Sequence, residues 1–164
     1  MLRRHAIATV AGIATYPLLM RSAAAQTAAS SGMSALSQRI LAASTFATTS
    51  SQLALTKAES PIVKVFAKFE VAEQESILRA TQLAGITVPQ SVQLDSEQAQ
   101  MLQQLQGLSN AEFDRMYVRG QLAGHQELLT LHQRRLTAGT RDEQIISTIA
   151  VATIEQHIAM LQAQ

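Results

Sequence analysis

Three side chains on separate predicted helices have the chemistry of a metal site. At 100° per residue, Glu73 falls within the apolar arc of the second long helix and His157 within that of the last, while His125 belongs to a polar column on the third. A carboxylate in a dry interior needs a partner, because otherwise its burial costs several kcal/mol or its pKa rises until it is neutral. Carboxylate and imidazole groups on facing helices are the ligands of helical metal sites. The pattern predicts that Glu73 lies within hydrogen-bond reach of His125 or His157, with Glu70 and Gln121 as auxiliary ligands and Fe, Mn or Zn as the ion.

Two other interpretations of these residues stay open. A single buried Glu beside a His is commonly a structural pair, and a helical wheel can assign a residue to the wrong face. The motif of di-iron carboxylate bundles, Glu-x-x-His, occurs nowhere in the sequence, and the nearest spacing is Glu70-x-x-Glu73. None of the serines lies in a nucleophile-elbow motif, and there is no glycine-rich phosphate loop. Because no catalytic constellation is complete, we expect a protein that acts by binding and is not an enzyme.

The first 25 residues have the pattern of a secretory signal peptide. Two arginines, Arg3 and Arg4, precede an apolar stretch of fifteen residues, and three alanines before Gln26 form a small-residue cleavage site. The stretch is shorter than the about 20 residues of a helical membrane span, although an uncleaved anchor is the alternative. The arginine pair leaves the twin-arginine export route open beside the general secretory route. We therefore expect a signal peptide at 1–25, a flexible tether at 26–33 and a folded domain at 34–164. The mature protein should lie in the periplasm, either free or associated with the outer membrane.

Composition narrows the classes of partner. The chain has 164 residues, of which 47% are hydrophobic and 15% charged, and this suits one domain. It has no Cys, which excludes disulfides, thiolate ligands and a cysteine nucleophile. Without Arg3, Arg4 and Arg21 of the leader, ten Lys and Arg stand against twelve Asp and Glu, a formal net charge of −2. That balance provides no basic footprint for nucleic acid and no polybasic membrane patch. We expect no transmembrane span after signal cleavage, and an envelope component or a second copy as the partner.

Apolar periodicity predicts four long helices and one short helix. They cover about residues 34–58, 60–85, 95–106, 109–136 and 140–162. Ser60-Pro61 marks the start of the second, and the spacings of Ser109 with Glu112 and of Thr140 with Glu143 are those of capping boxes. The predicted inward face of the second helix is wide and comprises Ile62, Val65, Phe66, Phe69, Ala72, Ile77, Ala80 and Leu83. These elements predict an all-α, up-and-down four-helix bundle with an extra short helix between the second and third long helices.

Five sequence blocks resemble a known bacterial family. In chain order they are Ser60–Ala67, Phe69–Glu75, Ala111–Tyr117, Gly124–Leu129 and Glu155–Met160. Over about residues 33–162 the chain resembles the bacterial domain-of-unknown-function family 4142, whose members are exported, ferritin-like helical bundles often labelled outer membrane proteins. The resemblance implies that His125 and His157 occupy the family's recurrent histidine positions. It also implies that Ala72, Glu73 and Gln74 stand where many members have an Asp-Asp-His-like run, so that Glu73 would supply an oxygen ligand there.

The sequence therefore supports two hypotheses of function. The first is a non-enzymatic periplasmic or envelope-associated helical bundle that acts by contact with envelope components or with itself. The alternative is a metal-binding, ferritin-like protein that uses Glu73, His125 and His157. The metal content of the purified protein separates the two hypotheses.

Overall fold

Five α-helices make up most of the chain that the structure describes. A computed structural model describes residues 33–164, so the predicted signal peptide and residues 26–32 of the predicted tether lie outside the described residues. The helices are α1 (Ala35–Lys57), α2 (Pro61–Leu83), α3 (Ser96–Gly107), α4 (Asn110–Ala138) and α5 (Arg141–Gln162). Between residues 33 and 164 there is no strand. The all-helical prediction is confirmed for this part of the chain, with helix bounds within about three residues of those expected.

Most helix starts follow the predicted capping chemistry. The Ser60 hydroxyl accepts from the Val63 N–H ahead of Pro61, and Thr140 and Glu143 form a reciprocal capping box. The capping box predicted for Ser109 is wrong, because its side chain makes no cap hydrogen bond. The next residue, Asn110, has φ of 56°, in the left-handed region that Asn tolerates better than most residues. The Phe113 N–H still donates to the Ser109 carbonyl at 3.3 Å, so the first turn of α4 forms with Asn110 in this conformation but without the Ser109 hydroxyl as its cap.

The four long helices pack in a ring around a shared interior. Helix α1 lies between α2 and α4, α4 packs on α5, and α5 completes the ring by contacting α2 over a shorter stretch. The short helix α3 packs across α1 and α4. The α2–α5 seam is therefore the most open of the four.

Two hydrogen-bond groups give the helix directions. At one end, the backbone N–H groups of Glu59 and Ser60 donate to the Asp114 carboxylate, so α2 and α4 start side by side. At the other end, Arg135 near the end of α4 contacts Ser37 and Glu143, at the starts of α1 and α5. Helices α2 and α4 therefore run parallel, and residues 84–109, which include α3, return the chain from one end to the other. The predicted up-and-down order is corrected accordingly: the short loops occur only between α1 and α2 and between α4 and α5.

The inward face of α2 is narrower than predicted and turned to one side. Val63, Phe66, Ala67 and Glu70 are buried, whereas several side chains of the predicted face are exposed, namely Ile62, Val65, Phe69, Ala72, Ala80 and Leu83. The physical reason is that α2 packs mainly on α1 and only lightly on α5, so its inward face follows the α1 contact. Glu70 and Glu73 lie about 60° apart around a helix. Because the inward face is turned toward α1, Glu70 is buried in the interior and Glu73 lies at its edge.

Two apolar clusters fill the interior and leave a polar level between them. One includes Phe46, Phe66, Phe113 and Tyr117, and the other includes Ile40, Leu128, Leu131 and Ile154. On α4, His125 lies between Tyr117 and Leu128, and on α5, His157 lies between Ile154 and Leu161. The apolar clusters therefore exclude water from both sides of the level that holds the two imidazoles.

Helix α5 is, among residues 33–164, the one helix long and apolar enough to cross a membrane by length and composition. Its apolar side chains divide between two environments. Ile146, Ala150 and Ile154 are buried in the interior, while Ile145 and Ile149 are exposed beside the α2–α5 seam. The packing of α5 on α4 accounts for the first group and leaves the second without a partner.

Candidate metal centre

Glu70, His125 and His157 meet in the interior, each from a different helix. The Glu70 Oε2 atom lies 3.2 Å from His125 Nε2 and 2.9 Å from His157 Nδ1. The two imidazole nitrogens lie 3.2 Å from each other. All three residues are buried, and the Glu70 side chain is 0% exposed. One oxygen and two nitrogens thus form a nearly equilateral triangle away from solvent, and these are the ligand atoms of a possible metal-binding group.

When the two imidazoles are neutral, the partners of their outer nitrogens favour protons that are directed away from this triangle. His125 Nδ1 lies 2.8 Å from the Gln121 backbone carbonyl, which can only accept, so Nδ1–H donates and a neutral ring presents the Nε2 lone pair to the triangle. His157 Nε2 lies 3.3 Å from the Glu73 carboxylate, which favours a proton on that nitrogen. A neutral His157 then presents the Nδ1 lone pair. With the protons placed in this way, three electron-rich atoms lie within 3.2 Å of one another, and an added proton on His157 or a cation would relieve their repulsion.

The electrostatics keep the carboxylate ionised. Burial alone would raise the pKa of Glu70, but in the metal-free protein the hydrogen bonds that protonated His125 and His157 donate to it, together with their positive charges, outweigh burial and lower this pKa to about 2. Burial would lower the pKa of His157, but the hydrogen bond to Glu70 and the charges of Glu70 and Glu73 raise it above its usual value. Glu70 is therefore an anionic oxygen donor at neutral pH, even though it is fully enclosed.

A second layer of contacts orients each of the three side chains. The Gln121 carbonyl holds His125, Glu73 faces the outer nitrogen of His157, and the Gln74 side-chain amide donates to Glu70 Oε1 at 3.0 Å. The Phe66 ring lies edge-on to both imidazoles, with centroid distances of 6.0 Å and 5.0 Å. Metal-ligating histidines commonly donate their second N–H to a carbonyl or carboxylate, which fixes the ring orientation. The surroundings of this triangle therefore match those of a preorganised ligand set.

The structure divides the sequence-predicted residues into a core and a rim. His125 and His157 are brought together as predicted, and Glu73 is close to His157 but lies at the edge, with 19% of its side chain exposed. Glu70, expected as an auxiliary, is instead the carboxylate that contacts both imidazoles. The signal for Glu70 was its spacing of four residues after Phe66 and seven after Val63, which places all three on one helix face.

Gln121 contributes through its backbone and not its side chain. Its side-chain amide points to α1, where Nε2 donates to the Ala47 carbonyl at 3.0 Å and contacts the hydroxyls of Ser50 and Ser51 at 2.8 Å and 3.1 Å. The backbone carbonyl of Gln121 is the atom that orients His125. The amide side chain therefore joins α4 to α1 and is not directed at the triangle.

His132, a buried histidine two turns after His125 on α4, belongs to a different group. Its Nδ1 lies 3.0 Å from the Ser147 hydroxyl of α5. Burial, and next the positive charge of Arg135, lower the pKa of His132 to about 4. The folded protein therefore keeps this ring neutral at pH values where an unfolded chain would protonate it.

We expect this buried ring to make the metal-free protein less stable as the pH falls from about 6.5 to about 4. The unfolded chain binds a proton at His132 in this window and the folded chain does not, so protonation favours unfolding by about 3 kcal/mol once the window is crossed. His132→Gln removes the titration. The free energy of unfolding of both proteins is measured with urea at pH values from about 7 to about 4.5. It should fall more steeply with decreasing pH in the wild type than in the variant.

The other shifted groups affect both proteins alike in that comparison. The pKa values of Glu70 and Glu143 are lowered, so their stabilisation is lost only as the pH falls below about 4.5. The raised pKa of His157 has the opposite sign, since its stabilisation is present below about 6.5 and is lost as the pH rises through its folded value. If the difference in free energy of unfolding between wild type and variant stayed constant over the whole pH window, the prediction would be contradicted.

The described residues define a class: an all-helical protein with a carboxylate and two imidazoles enclosed between its long helices. The chain belongs to the family described as domain of unknown function (DUF4142), whose family model matches residues 18–163. This confirms the family resemblance carried by the five sequence blocks. No curated protein matches the chain, and no solved structure does.

Proposed function

We propose that this chain is an exported metal-binding protein in which Glu70, His125 and His157 hold one divalent transition-metal ion. The observation that carries the proposal is the triangle of donor atoms with edges of 2.9 to 3.2 Å. An ion about 2.05 Å from each ligand atom, a usual distance to imidazole nitrogen and carboxylate oxygen, could contact all three of these atoms at once. The side chains could therefore accept an ion with little rearrangement.

The donor set favours some metals over others. Two imidazole nitrogens and one carboxylate oxygen suit Zn, Fe or Mn, and a site with two His and one carboxylate also occurs in non-haem iron proteins. Ca²⁺ and Mg²⁺ prefer oxygen-only surroundings and are disfavoured here. Three protein ligands leave at least one coordination position for water or a small molecule.

The helix arrangement supports the same proposal. Four long helices, with one long connection between the second and third, are the topology of ferritin-like bundles, in which metals are bound between facing helices. The signal-peptide pattern of residues 1–25 supports export.

Metal analysis of the protein purified from its exported fraction tests this function. We expect about one equivalent of Fe, Mn or Zn per chain, and a higher melting temperature with metal than after chelation, because a ligand at 100 times its Kd adds about 2.7 kcal/mol to the free energy of unfolding. His132→Gln serves as the control, since this buried histidine bonds Ser147 and lies outside the triangle. Protein that carries no metal and melts at the same temperature with and without added ions would overturn the proposal.

A second candidate function, contact with an envelope component or a second copy, rests on a different observation. Exposed apolar side chains follow both sides of the lightly packed α2–α5 seam, namely Ile62, Val65 and Phe69 on α2 and Ile145, Ile149 and Met160 on α5. Apolar side chains grouped in this way on a surface are typical of interaction sites. Contact through this face is compatible with metal binding in the interior.

A further inference from the structure

Helix α2 has a second patterned face, on its exposed side. The residues of this face are all exposed and follow one another at alternating spacings of three and four, the heptad pattern of a helix that packs lengthwise on another helix. Most of them are apolar, although the described residues of the chain bury none of them. The members of this face are Ile62, Val65, Phe69, Ala72, Ser76, Arg79 and Leu83.

Helix α5 has a matching face beside the first one. Its exposed residues alternate at spacings of four and three, namely Ile145, Ile149, Ala152, Gln156 and Ala159. Glu73 of α2 and His157 of α5 meet across the α2–α5 seam at 3.3 Å. Phe69 lies about 40° around α2 from Glu73, and the exposed Met160 lies about 60° around α5 from His157. The two heptad faces therefore border the same seam.

Together the two faces expose enough apolar surface for a stable interface. Seven large apolar side chains beside the seam are between 41% and 77% exposed, namely Ile62, Val65, Phe69, Leu83, Ile145, Ile149 and Met160. With the exposed alanines between them they present on the order of 800 Å², the area that each partner buries in a standard interface. The largest apolar patch of a monomeric protein is commonly only about 300 to 600 Å².

The charges beside the α2 face fit a second copy of the same chain. Lys68 and Glu75 lie one heptad apart on the same flank, and neither forms an ion pair with another described residue. Two copies of α2 that pack antiparallel about a two-fold axis at the level of Val71 would place Lys68 opposite Glu75 of the second copy, twice by symmetry. In the same register Phe69, the largest side chain of the face, meets the small side chain of Ala72.

A lipid surface fits these charges less well. Helices that lie on membranes combine an apolar face with flanks rich in Lys and Arg. Here the acidic residues Glu75 and Glu155 border the two faces together with the basic residue Lys68. Charges of both signs at the edge of an apolar face favour a protein partner with complementary charges.

We propose that the α2–α5 face is the contact between two copies of this chain, in which the two α2 helices pack antiparallel and α5 extends the contact. The contact is self-complementary and therefore closes at a dimer. This inference rests on the second candidate function and assigns it one partner. It does not depend on the metal, since Glu70, His125 and His157 are buried and lie outside both heptad faces.

Sedimentation equilibrium of the mature protein tests the contact, and we expect a dimer both as purified and after chelation of metal. Lys68→Glu and Glu75→Lys should each weaken the dimer by about five- to thirty-fold, because each change turns two attractive pairs into two repulsive ones. The double variant should regain most of the wild-type affinity, since it restores both pairs with their charges exchanged. Arg119→Glu, at an exposed position on α4, is the matched control and should leave the dimer unchanged.

A wild-type protein that stays monomeric up to about 100 μM would overturn the proposal. Monomeric protein that binds phospholipid vesicles would overturn it in favour of the envelope as partner. The proposal is equally overturned if the double variant dimerises no better than the single variants, once circular dichroism shows that all three are folded. A monomer with one equivalent of metal would refute the dimer and leave the proposed metal site standing, and a dimer without metal would do the reverse.

Discussion

Glu70→Gln should abolish stoichiometric metal binding, with a loss of affinity greater than about 100-fold, while Glu73→Gln should lower the affinity by only about 10- to 100-fold. The reason is the different position of the two carboxylates. Glu70 Oε2 is a corner of the donor triangle, whereas Glu73 reaches only the outer nitrogen of His157, at 3.3 Å. A neutral amide in place of Glu70 removes the anionic ligand, and one in place of Glu73 removes only the group that orients an imidazole.

The two substitutions form a matched pair, since they make the same chemical change one helical turn apart. Metal content is measured by mass spectrometry, and affinity by competition with a chelator of known strength. Both variants should fold, because a shape-conserving amide retains the hydrogen-bonding capacity of the site. Circular dichroism verifies this. Equal losses of metal affinity in the two variants would mean that the orientation of α2 does not determine which carboxylate binds the metal. A greater loss of affinity in Glu73→Gln would support the ligand set expected from the sequence.

Phe66→Ala should lower the free energy of unfolding by about 3 to 5 kcal/mol, the usual cost of truncating a buried aromatic side chain. Phe66 is 1% exposed and packs edge-on against Tyr117 as well as against His125 and His157. Its loss would leave a cavity beside the donor triangle, so we also expect weaker metal binding. Urea unfolding monitored by circular dichroism measures the stability change.

Phe69→Ala is the control, and it should change the free energy of unfolding by no more than about 0.5 kcal/mol. Phe69 was predicted to share the inward face with Phe66, but its side chain is 60% exposed. Similar destabilisation in both variants would contradict the placement of α2. The control also tests the second candidate function: if the protein associates through the α2–α5 face, Phe69→Ala should reduce its mass in sedimentation without changing its metal content.

The sequence alone determined the features that depend on local chemistry. Proline at the first turn of α2, the hydroxyl of Thr140 and the glycine after α4 mark helix ends because they act on neighbouring backbone groups. For the same reason the apolar period located each helix, and the separate helix faces of His125 and His157 indicated an interior site. The capping prediction fails at Ser109, where the next residue, Asn110, has a left-handed backbone conformation. The neighbouring residue types do not predict this conformation.

Only the tertiary structure decided which carboxylate enters that interior. The apolar residues of α2 extend around so much of its surface that Glu70 and Glu73 both adjoin its predicted face, and the choice depends on how α2 divides its contacts between α1 and α5. The parallel course of α2 and α4 likewise depends on where the 84–109 connection leads, and the buried Arg135 contacts residues that are far apart in the chain. Local propensity acts over a few residues, whereas these features depend on packing between helices.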